Sequence, residues 1–236
     1  MPSAACASAE SVPGTVTYAA GDWTVPRATS GFGSSCFDRG NTWFDASEWV
    51  GIDGFSSPTV EQIGTAVDCY YGQAQYYAWY ELFPSQPSEL TIPVTVSPGD
   101  LIKASVTCTG TAPASVTCSA SLTDVANGQS FTSPATAVPG AYLQSAEWIE
   151  ENSYYAPGIS YLALTQTSPI LFTGAMATIG GVTKSLSSWG TSVFWFPSTT
   201  YDFGSPPEGT TLSSVKAIPS VAFGGSFLIR WLSSGP

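Results

Sequence analysis

The fold class is indicated most clearly by residues 101–122, LIKASVTCTGTAPASVTCSASL. Apolar and polar residues alternate along both halves, and the string Ser-Val-Thr-Cys occurs at 105–108 and again at 115–118. Alternation with a period of two places one face of a β-strand on a core and the other face toward solvent. The segment therefore predicts two strands, 101–107 and 115–122, that form the arms of one hairpin.

Short alternating runs of the same kind continue on both sides of this hairpin, and helix signals are almost absent. Turn residues, such as Pro98-Gly99 and Asn127-Gly128, divide the runs about every ten residues. Further strands are predicted over 16–18, 48–52, 76–82, 90–96, 147–151, 161–165, 192–196 and 225–231. This spacing is typical of an antiparallel β-sandwich. No break in composition divides the chain, so we expect one all-β domain over 1–236, with 1–12 as a flexible N-terminal segment.

Composition excludes several classes of function. The 236 residues contain no histidine, which removes Ser-His-Asp and Cys-His catalysis and every histidine-ligated metal site. Only 6 Lys and Arg stand against 17 Asp and Glu, and the net charge is −11. Because this number of basic residues is too small to neutralise a phosphate backbone, we expect neither nucleic acid nor a membrane as partner. Because full protonation leaves few positive charges, the composition favours stability in acid.

Three predicted strands place carboxyl groups beside large aromatic side chains. The first has WVGIDG at 49–54 and is followed after a loop by EQIG at 61–64. The second has YYAWYELFP at 76–84, and the third has AEWIEE at 146–151. Alternate residues of a strand share one face, so each strand presents at least one acid on a face that also carries bulky apolar groups. A buried carboxyl group is costly unless it is paired or functional. The spacing alone is equally compatible with a structural network and with an acid–base cleft.

These strings occur in the order found in the glutamic peptidases (eqolisins), and the sequence resembles that family over roughly residues 20–232. The resemblance implies a sandwich of two long, curved antiparallel sheets of the concanavalin A-like, jelly-roll type, with the active site on the concave sheet. It also implies a secreted acid endopeptidase that acts on polypeptides without a cofactor or metal, and we expect a monomer.

The resemblance further implies roles for individual residues. Gln62 falls on the catalytic glutamine of the family, and Glu151 falls on its catalytic glutamate, the last acid of an A-E-aromatic-I-x-E string. In these roles Glu151 would act as general base and the Gln62 amide would stabilise the oxyanion. The residues implied to line the cleft are Trp49, Asp53, Tyr77, Trp79, Glu81 and Glu147.

Several of these positions have an alternative explanation. Glu150 stands where the family has an apolar or neutral residue, so the base could be shifted by one position, although strand parity favours Glu151 because it shares a face with Glu147. Tyr77 occupies a position that is acidic in fungal members. Asp53 could be a turn aspartate. Trp49 and Trp79 could be core residues, and Glu81 could be a solvated acid.

Five cysteines, at 6, 36, 69, 108 and 118, allow two disulfides and one unpaired thiol. We expect Cys36–Cys69, which would tie the loops on either side of segment 49–62, and Cys108–Cys118, which would clamp the hairpin, so that Cys6 is left over. Disulfides in an acidic chain rich in Ser, Thr and Gly indicate secretion.

Two other functions are compatible with the strand pattern. One is a glycoside hydrolase of lectin-like fold, and the other is a noncatalytic carbohydrate-binding sandwich in which exposed Trp and Tyr stack on sugars. Glu147 and Glu151 would lie about 13 Å apart along one strand. This exceeds the roughly 5–9.5 Å needed across a glycosidic bond, so a hydrolase would need a carboxylate from another strand. The Asp-Thr-Gly or Asp-Ser-Gly string expected of an aspartic peptidase does not occur.

Overall fold

The computed structural model of the chain describes residues 4–29, 36, 44–55, 57–151, 163–189, 192–196, 198–199, 211–219 and 225–233. Within these residues lie β-strands and one short 3-10 helix at Leu186–Trp189, and none of the described helices is long and apolar enough to cross a membrane. The strands are β1 (Ala4–Glu10), β2 (Val16–Thr24), β3 (Phe44–Asp53), β4 (Val60–Tyr70), β5 (Gln73–Phe83), β6 (Leu90–Ile92), β7 (Leu101–Thr111), β8 (Ser115–Asp124), β9 (Ser130–Thr132), β10 (Thr136–Ala137), β11 (Ser145–Glu151), β12 (Ala163–Leu164), β13 (Ile170–Ile179), β14 (Val182–Ser185), β15 (Ser192–Phe196), β16 (Ser198–Thr199), β17 (Thr211–Pro219) and β18 (Phe227–Ser233).

The strands form two large sheets. The first has the order β15-β1-β11-β3-β4-β5-β6, with β12 beside the start of β3. The second has the order β10-β8-β7-β2-β13-β18-β17-β16, with β14 beside β13 and β9 beside β8. Neighbouring strands are antiparallel except for β12, which runs parallel to β3. The predicted all-β antiparallel fold is confirmed.

The two sheets pack through the faces that alternate residues direct toward each other. Apolar side chains of the first sheet, such as Val50 and Ile63, share one buried core with those of the second sheet, such as Phe172. The indole N–H of Trp148 in β11 crosses between the sheets and donates to the carbonyl of Ala20 in β2, at 2.8 Å. Because successive side chains alternate, the odd-numbered residues of β3, β5 and β11 and the even-numbered residues of β4 lie on the opposite face, which we call the outer face.

The predicted hairpin is present, with Cys108 directly opposite Cys118 in the pairing of β7 with β8. A disulfide joins these two residues, and a second disulfide joins Cys36 to Cys69 with a Cα–Cα distance of 5.9 Å. Both are the pairs that the sequence analysis predicts. The side chain of Cys6 lies outside the described residues.

The N-terminal segment differs from the sequence-based interpretation. Residues 4–10, which the sequence assigns to a flexible segment, form β1, which lies between β11 and β15 and pairs along its whole length with β11. The stretch AACASAE lacks the bulky alternating residues that mark the other strands. Its order comes instead from the backbone hydrogen bonds supplied by a neighbour on each side, which no local pattern can report. The alternation also failed to predict β13 and β17, and β6 ends at Ile92 rather than at residue 96.

Three carboxyl groups point into the space between the sheets. Glu48, Glu61 and Glu150 are fully buried, and Glu150 lies opposite Glu48 in the pairing of β11 with β3. The Thr65 hydroxyl donates to Glu48 Oε2 and the Thr167 hydroxyl donates to Glu150 Oε1, both at 3.0 Å. Among the described residues no Lys or Arg forms a salt bridge with any of the three.

Burial without a cation disfavours the charged form of these acids. It raises the pKa of Glu61 to about 9, with the Asp53 carboxyl adding to the effect, and it raises the pKa of Glu150 to about 8. Burial, followed by the charge of Glu150, also holds the pKa of Glu48 well above its ordinary value. The folded chain therefore keeps protons that an unfolded chain loses near pH 4.3.

This difference predicts how stability depends on pH. A raised pKa in the folded state stabilises the fold fully in acid, and the contribution is lost as the pH rises toward 8 and 9. We expect the melting temperature to fall by about 10 °C or more between pH 4 and pH 8, since each unit of pKa shift corresponds to about 1.4 kcal/mol. Calorimetry or circular dichroism across this range measures the fall.

Glu150→Gln should flatten this dependence, because the amide keeps an acceptor for Thr167 and cannot ionise. At pH 3, where Glu150 is protonated in both states, the variant should melt within a few degrees of the wild type, which serves as the control. A wild-type melting temperature that rises from pH 4 to pH 8 would contradict the assignment.

Candidate active site

A row of residues across four strands defines the centre of the outer face. The strand register aligns Glu147 of β11, Gly51 of β3, Gln62 of β4 and Glu81 of β5. We call this set the Gln62 row. Neighbouring strands lie about 4.8 Å apart, so the backbones of Glu147 and Gln62 are about 10 Å apart. Since Gly51 carries no side chain, no side chain from β3 at this position separates Glu147 from Gln62.

Glycine is required at position 51 by a close approach of the Trp49 ring. A Cβ at Gly51 would lie 2.9 Å from Cζ3 of Trp49 and 2.9 Å from the carbonyl oxygen of Glu61. The same Cβ would lie 3.2 Å from Cβ of Gln62. The edge of the indole therefore reaches the floor between Glu147 and Gln62.

The Gln62 side chain is held by its neighbour in the row. Its Nε2 donates to Glu81 Oε2 at 2.7 Å, which leaves the second N–H of the amide free to act on another acceptor. Its Oε1 is buried and has no hydrogen-bond partner within the described part of the chain. Burial raises the pKa of Glu81, while the bond from Gln62 opposes the rise.

The Glu147 carboxyl is buried and is held from two sides. The Ser145 hydroxyl donates to Oε1 at 2.8 Å, and the backbone N–H of Phe55 also bonds to the carboxyl. Burial raises the pKa of Glu147 to about 8 despite these bonds, and the charges of Glu151 and Asp53 add to the rise. Glu147 therefore carries a proton throughout the acid range. The strand pattern did not single out Ser145, although it lies two residues before Glu147 on the same face of β11.

Asp53 takes the turn role that the sequence analysis considered as its alternative. Its carboxyl is fully buried and accepts backbone N–H bonds from Tyr142, Leu143 and Gln144, at 2.8, 2.8 and 2.9 Å. Its own φ is 64°, a left-handed conformation that non-glycine residues seldom adopt. Asp53 thus fastens the end of β3 to the segment that leads into β11, rather than lining an open cleft.

The next row along the strands consists of Ile149, Trp49, Gly64 and Trp79. Trp79 donates its indole N–H to the Ser47 hydroxyl, and Trp49 donates its indole N–H to Glu151 Oε1, both at 2.9 Å. Trp79 is fully buried and Trp49 is 4% exposed. The two indoles form the floor of the face rather than an exposed platform for sugar rings.

Glu151 does not lie beside Gln62. It belongs to the row of Ser47, Ala66 and Tyr77, four residues along β3 from Gly51. Four residues and two strand spacings separate the backbones of Glu151 and Gln62 by about 16 Å. The register therefore places Glu147, rather than Glu151, in the same row as Gln62, and the catalytic pairing of Gln62 with Glu151 stays a prediction.

The remaining predicted site residues are distributed as follows. Glu150 points into the core and not onto the outer face, in keeping with strand parity. Tyr77 lies one row beyond the indoles and donates its hydroxyl to Asp68 Oδ1 at 3.3 Å. Burial raises the pKa of Glu151 to about 7, although the bond from Trp49 lowers it.

One group of potential metal ligands occurs among the described residues, formed by Glu61, Cys108 and Cys118. The two cysteines are joined in a disulfide, so their sulfurs are not thiolate ligands. The group carries no metal-binding chemistry.

Comparisons with known proteins find one matching family and curated relatives. Residues 3–205 match the family described as Peptidase A4. A segment of 181 residues, 71% of this chain, is 35% identical to Aspergillopepsin-2 of Aspergillus niger and covers 61% of that protein. A segment of 69 residues, 29% of this chain, is 41% identical to Scytalidopepsin B of Scytalidium lignicola and covers 25% of it. The matched segments thus span less than two thirds of these curated relatives.

Two solved structures share the architecture. The crystal structure of scytalido-glutamic peptidase with a transition state analog inhibitor superposes with a TM-score of 0.71, at 21% identity over 98% of both chains. The crystal structure of aspergilloglutamic peptidase from Aspergillus niger gives a TM-score of 0.59, at 31% identity over 80% of this chain and 99% of that chain. The first of these likenesses shows the fold alone.

The contacts of Asp53 lead to a prediction about stability. Asp53→Asn turns an amide N–H₂ toward backbone donors, so we expect a loss of about 2–4 kcal/mol and a melting temperature lower by about 5–15 °C. Thr59→Val is the matched control, because it removes the hydroxyl that donates to Asp53 at 3.2 Å and leaves the three backbone bonds in place. Its effect should be close to 1 kcal/mol. Equal melting temperatures for Asp53→Asn and the wild type would show that the carboxyl does not hold this turn.

Proposed function

We propose that this chain, which belongs to the Peptidase A4 family, is a secreted endopeptidase that hydrolyses polypeptides with Gln62 and Glu147 as its catalytic pair. The observation that carries the proposal is the Gln62 row, in which an acid and an amide flank a bare glycine. A peptide carbonyl bound above the Trp49 edge that covers Gly51 would lie between the two groups. The two disulfides and the acidic composition support an extracellular location.

The raised pKa of Glu147 determines its part in the reaction. At acid pH the carboxyl holds a proton on one oxygen. That oxygen delivers its proton to the leaving nitrogen, while the other oxygen accepts a proton from the attacking water. The water oxygen bonds to the carbonyl carbon, the carbon–nitrogen bond breaks, and Glu147 ends with the one proton that it held at the start. Burial excludes competing water from this exchange.

Gln62 stabilises the negative charge that develops on the carbonyl oxygen. Its Nε2 already gives one hydrogen to Glu81 at 2.7 Å, which restrains the amide and leaves its second hydrogen for the oxyanion. An oxyanion donor of this kind contributes about 10²–10³ to the rate in other hydrolases. Glu81 thus acts on the reaction by orienting the Gln62 amide.

The two alternative functions are less compatible with the outer face. The backbones of Glu81 and Glu147 are three strands apart, about 14 Å, whereas glycosidase carboxyls lie roughly 5–9.5 Å apart, so the register does not favour this pair for glycoside hydrolysis. The burial of Trp49 and Trp79 removes the exposed rings that a carbohydrate-binding sandwich would use.

The first functional prediction concerns the catalytic pair. Gln62→Ala should lower kcat by about 10²–10³, and Glu147→Gln should abolish cleavage because the amide cannot exchange a proton. Both variants should keep the wild-type circular dichroism spectrum. The assay is the release of peptides from denatured protein at pH 3, with release of reducing ends from β-glucan measured in parallel.

Glu150→Gln is the matched control for Glu147→Gln, because Glu150 lies on the same strand and points into the core. It should retain cleavage at pH 3. Release of reducing ends without release of peptides would favour the glycoside hydrolase, and neither product would favour a noncatalytic sandwich.

The second functional prediction concerns pH. Because catalysis uses the protonated form of Glu147, activity should persist from pH 3 to pH 5 and disappear between about pH 7 and pH 9. Initial rates should be measured within seconds of dilution into each buffer, before the fold is lost, and compared with rates for Glu150→Gln, whose fold is less sensitive to pH. A maximum of activity at pH 8 or above would overturn the proposed role of Glu147.

A further inference from the structure

We infer that Glu151 is a positioning residue, which anchors the Trp49 indole so that its far edge closes the floor of the Gln62 row at Gly51. The inference rests on the proposed function, since it concerns how the Gln62–Glu147 pair is kept at its working distance. It assigns to Glu151 a role through Trp49 in place of the general-base role predicted from sequence.

The two ends of the Trp49 ring carry this inference. Its Nε1 donates to Glu151 Oε1 at 2.9 Å, in the row of Ser47. Its Cζ3, on the opposite side of the indole, lies 2.9 Å from the position of a Cβ at Gly51. The ring therefore spans the distance between the row of Glu151 and the Gln62 row, and a movement at one end displaces the other.

The root of the Trp49 side chain is also fixed by close packing. A Cβ at Gly64 would lie 2.7 Å from Cβ of Trp49, so the neighbouring strand approaches the root as closely as a glycine permits. Trp49 packs with Trp79, Ala66 and Ile149 in one apolar cluster. Packing holds the root and flank of the ring, and the bond to Glu151 is the hydrogen bond that the described residues give its tip.

The Glu151 carboxyl suits this contact at any protonation state. A carboxylic acid, a carboxylate and a glutamine amide each offer an oxygen that accepts a bond from an indole N–H. A positioning role therefore tolerates glutamine at 151, whereas a proton-transfer role does not. Three other carboxyl groups, those of Glu81, Glu89 and Glu147, share the electrostatic surroundings of Glu151.

Kinetics separate the two roles. We expect Glu151→Gln to retain kcat within about 3-fold of the wild type, and Glu151→Ala to lower kcat by about 10–30-fold with little change in KM, because a misplacement of about 1 Å can cost up to 10²-fold. Trp49→Phe removes both the donor and the far edge of the indole, so it should lower kcat at least as much as Glu151→Ala. The double variant should be no worse than Trp49→Phe, since the contact of Glu151 is already lost there.

A spectroscopic measurement tests the contact without any assay of cleavage. In protein carrying ¹⁵N-labelled tryptophan, the indole N–H signal that is missing from Trp49→Phe identifies Trp49. That signal should shift in Glu151→Ala, and it should move with pH in the wild type as Glu151 titrates near pH 7. In Glu151→Gln the movement near pH 7 should be lost, while any movement caused by Glu81, Glu89 or Glu147 remains.

The outcomes that overturn the inference are distinct. Glu151→Gln that is folded and as inactive as Glu147→Gln would make Glu151 a proton-transfer group. Wild-type kcat in Glu151→Ala, or additive losses in the double variant, would show that Trp49 needs no anchor. If the wild type cleaves no protein, the proposed function fails, and the Trp49 signal alone then decides: an unchanged signal in Glu151→Ala rejects the contact.

Discussion

The antiparallel register of β11, β3 and β4 is the constraint on which the rest of this molecule depends. It places Glu147 opposite Gly51 and Gly51 opposite Gln62, and it sends Glu48 and Glu150 to the other side of the same sheet. A slip of one residue between strands would exchange the two faces, which would carry the core acids to the outer face and the site acids into the core. Fold and site are therefore specified by the same backbone hydrogen bonds.

Much of the architecture could be predicted from the sequence, because alternation is a local signal. The hairpin 101–122, the all-β class and the two disulfides follow from residues that are close in sequence or from the family resemblance. The strand β1 could not be predicted, since its seven residues are small and their order depends on two distant partners. Strand β13 was also missed, and one of its partners is the remote β2, whereas β17 was missed although it pairs with its chain neighbour β18.

The site was predictable in its parts but not in its assembly. Strand parity correctly assigned Glu147 and Glu151 to one face and Glu150 to the other. Parity cannot say which of two acids on one face lies beside Gln62, because that depends on register between strands. Gly51 was missed for a similar reason, because its closeness to Gln62 appears only once the strands are paired, whereas Ser145 could have been found from strand parity, since it lies two residues before Glu147.

The position of β1 has a consequence for proteolytic maturation. Because β1 covers one side of β11, a cut that released residues 4–10 would leave β11, the strand that carries Glu147, with unpaired backbone groups along that side. An exposed strand border of this kind recruits strands from other molecules and promotes aggregation. Loss of residues 4–10 should therefore make the protein more prone to aggregate through β11.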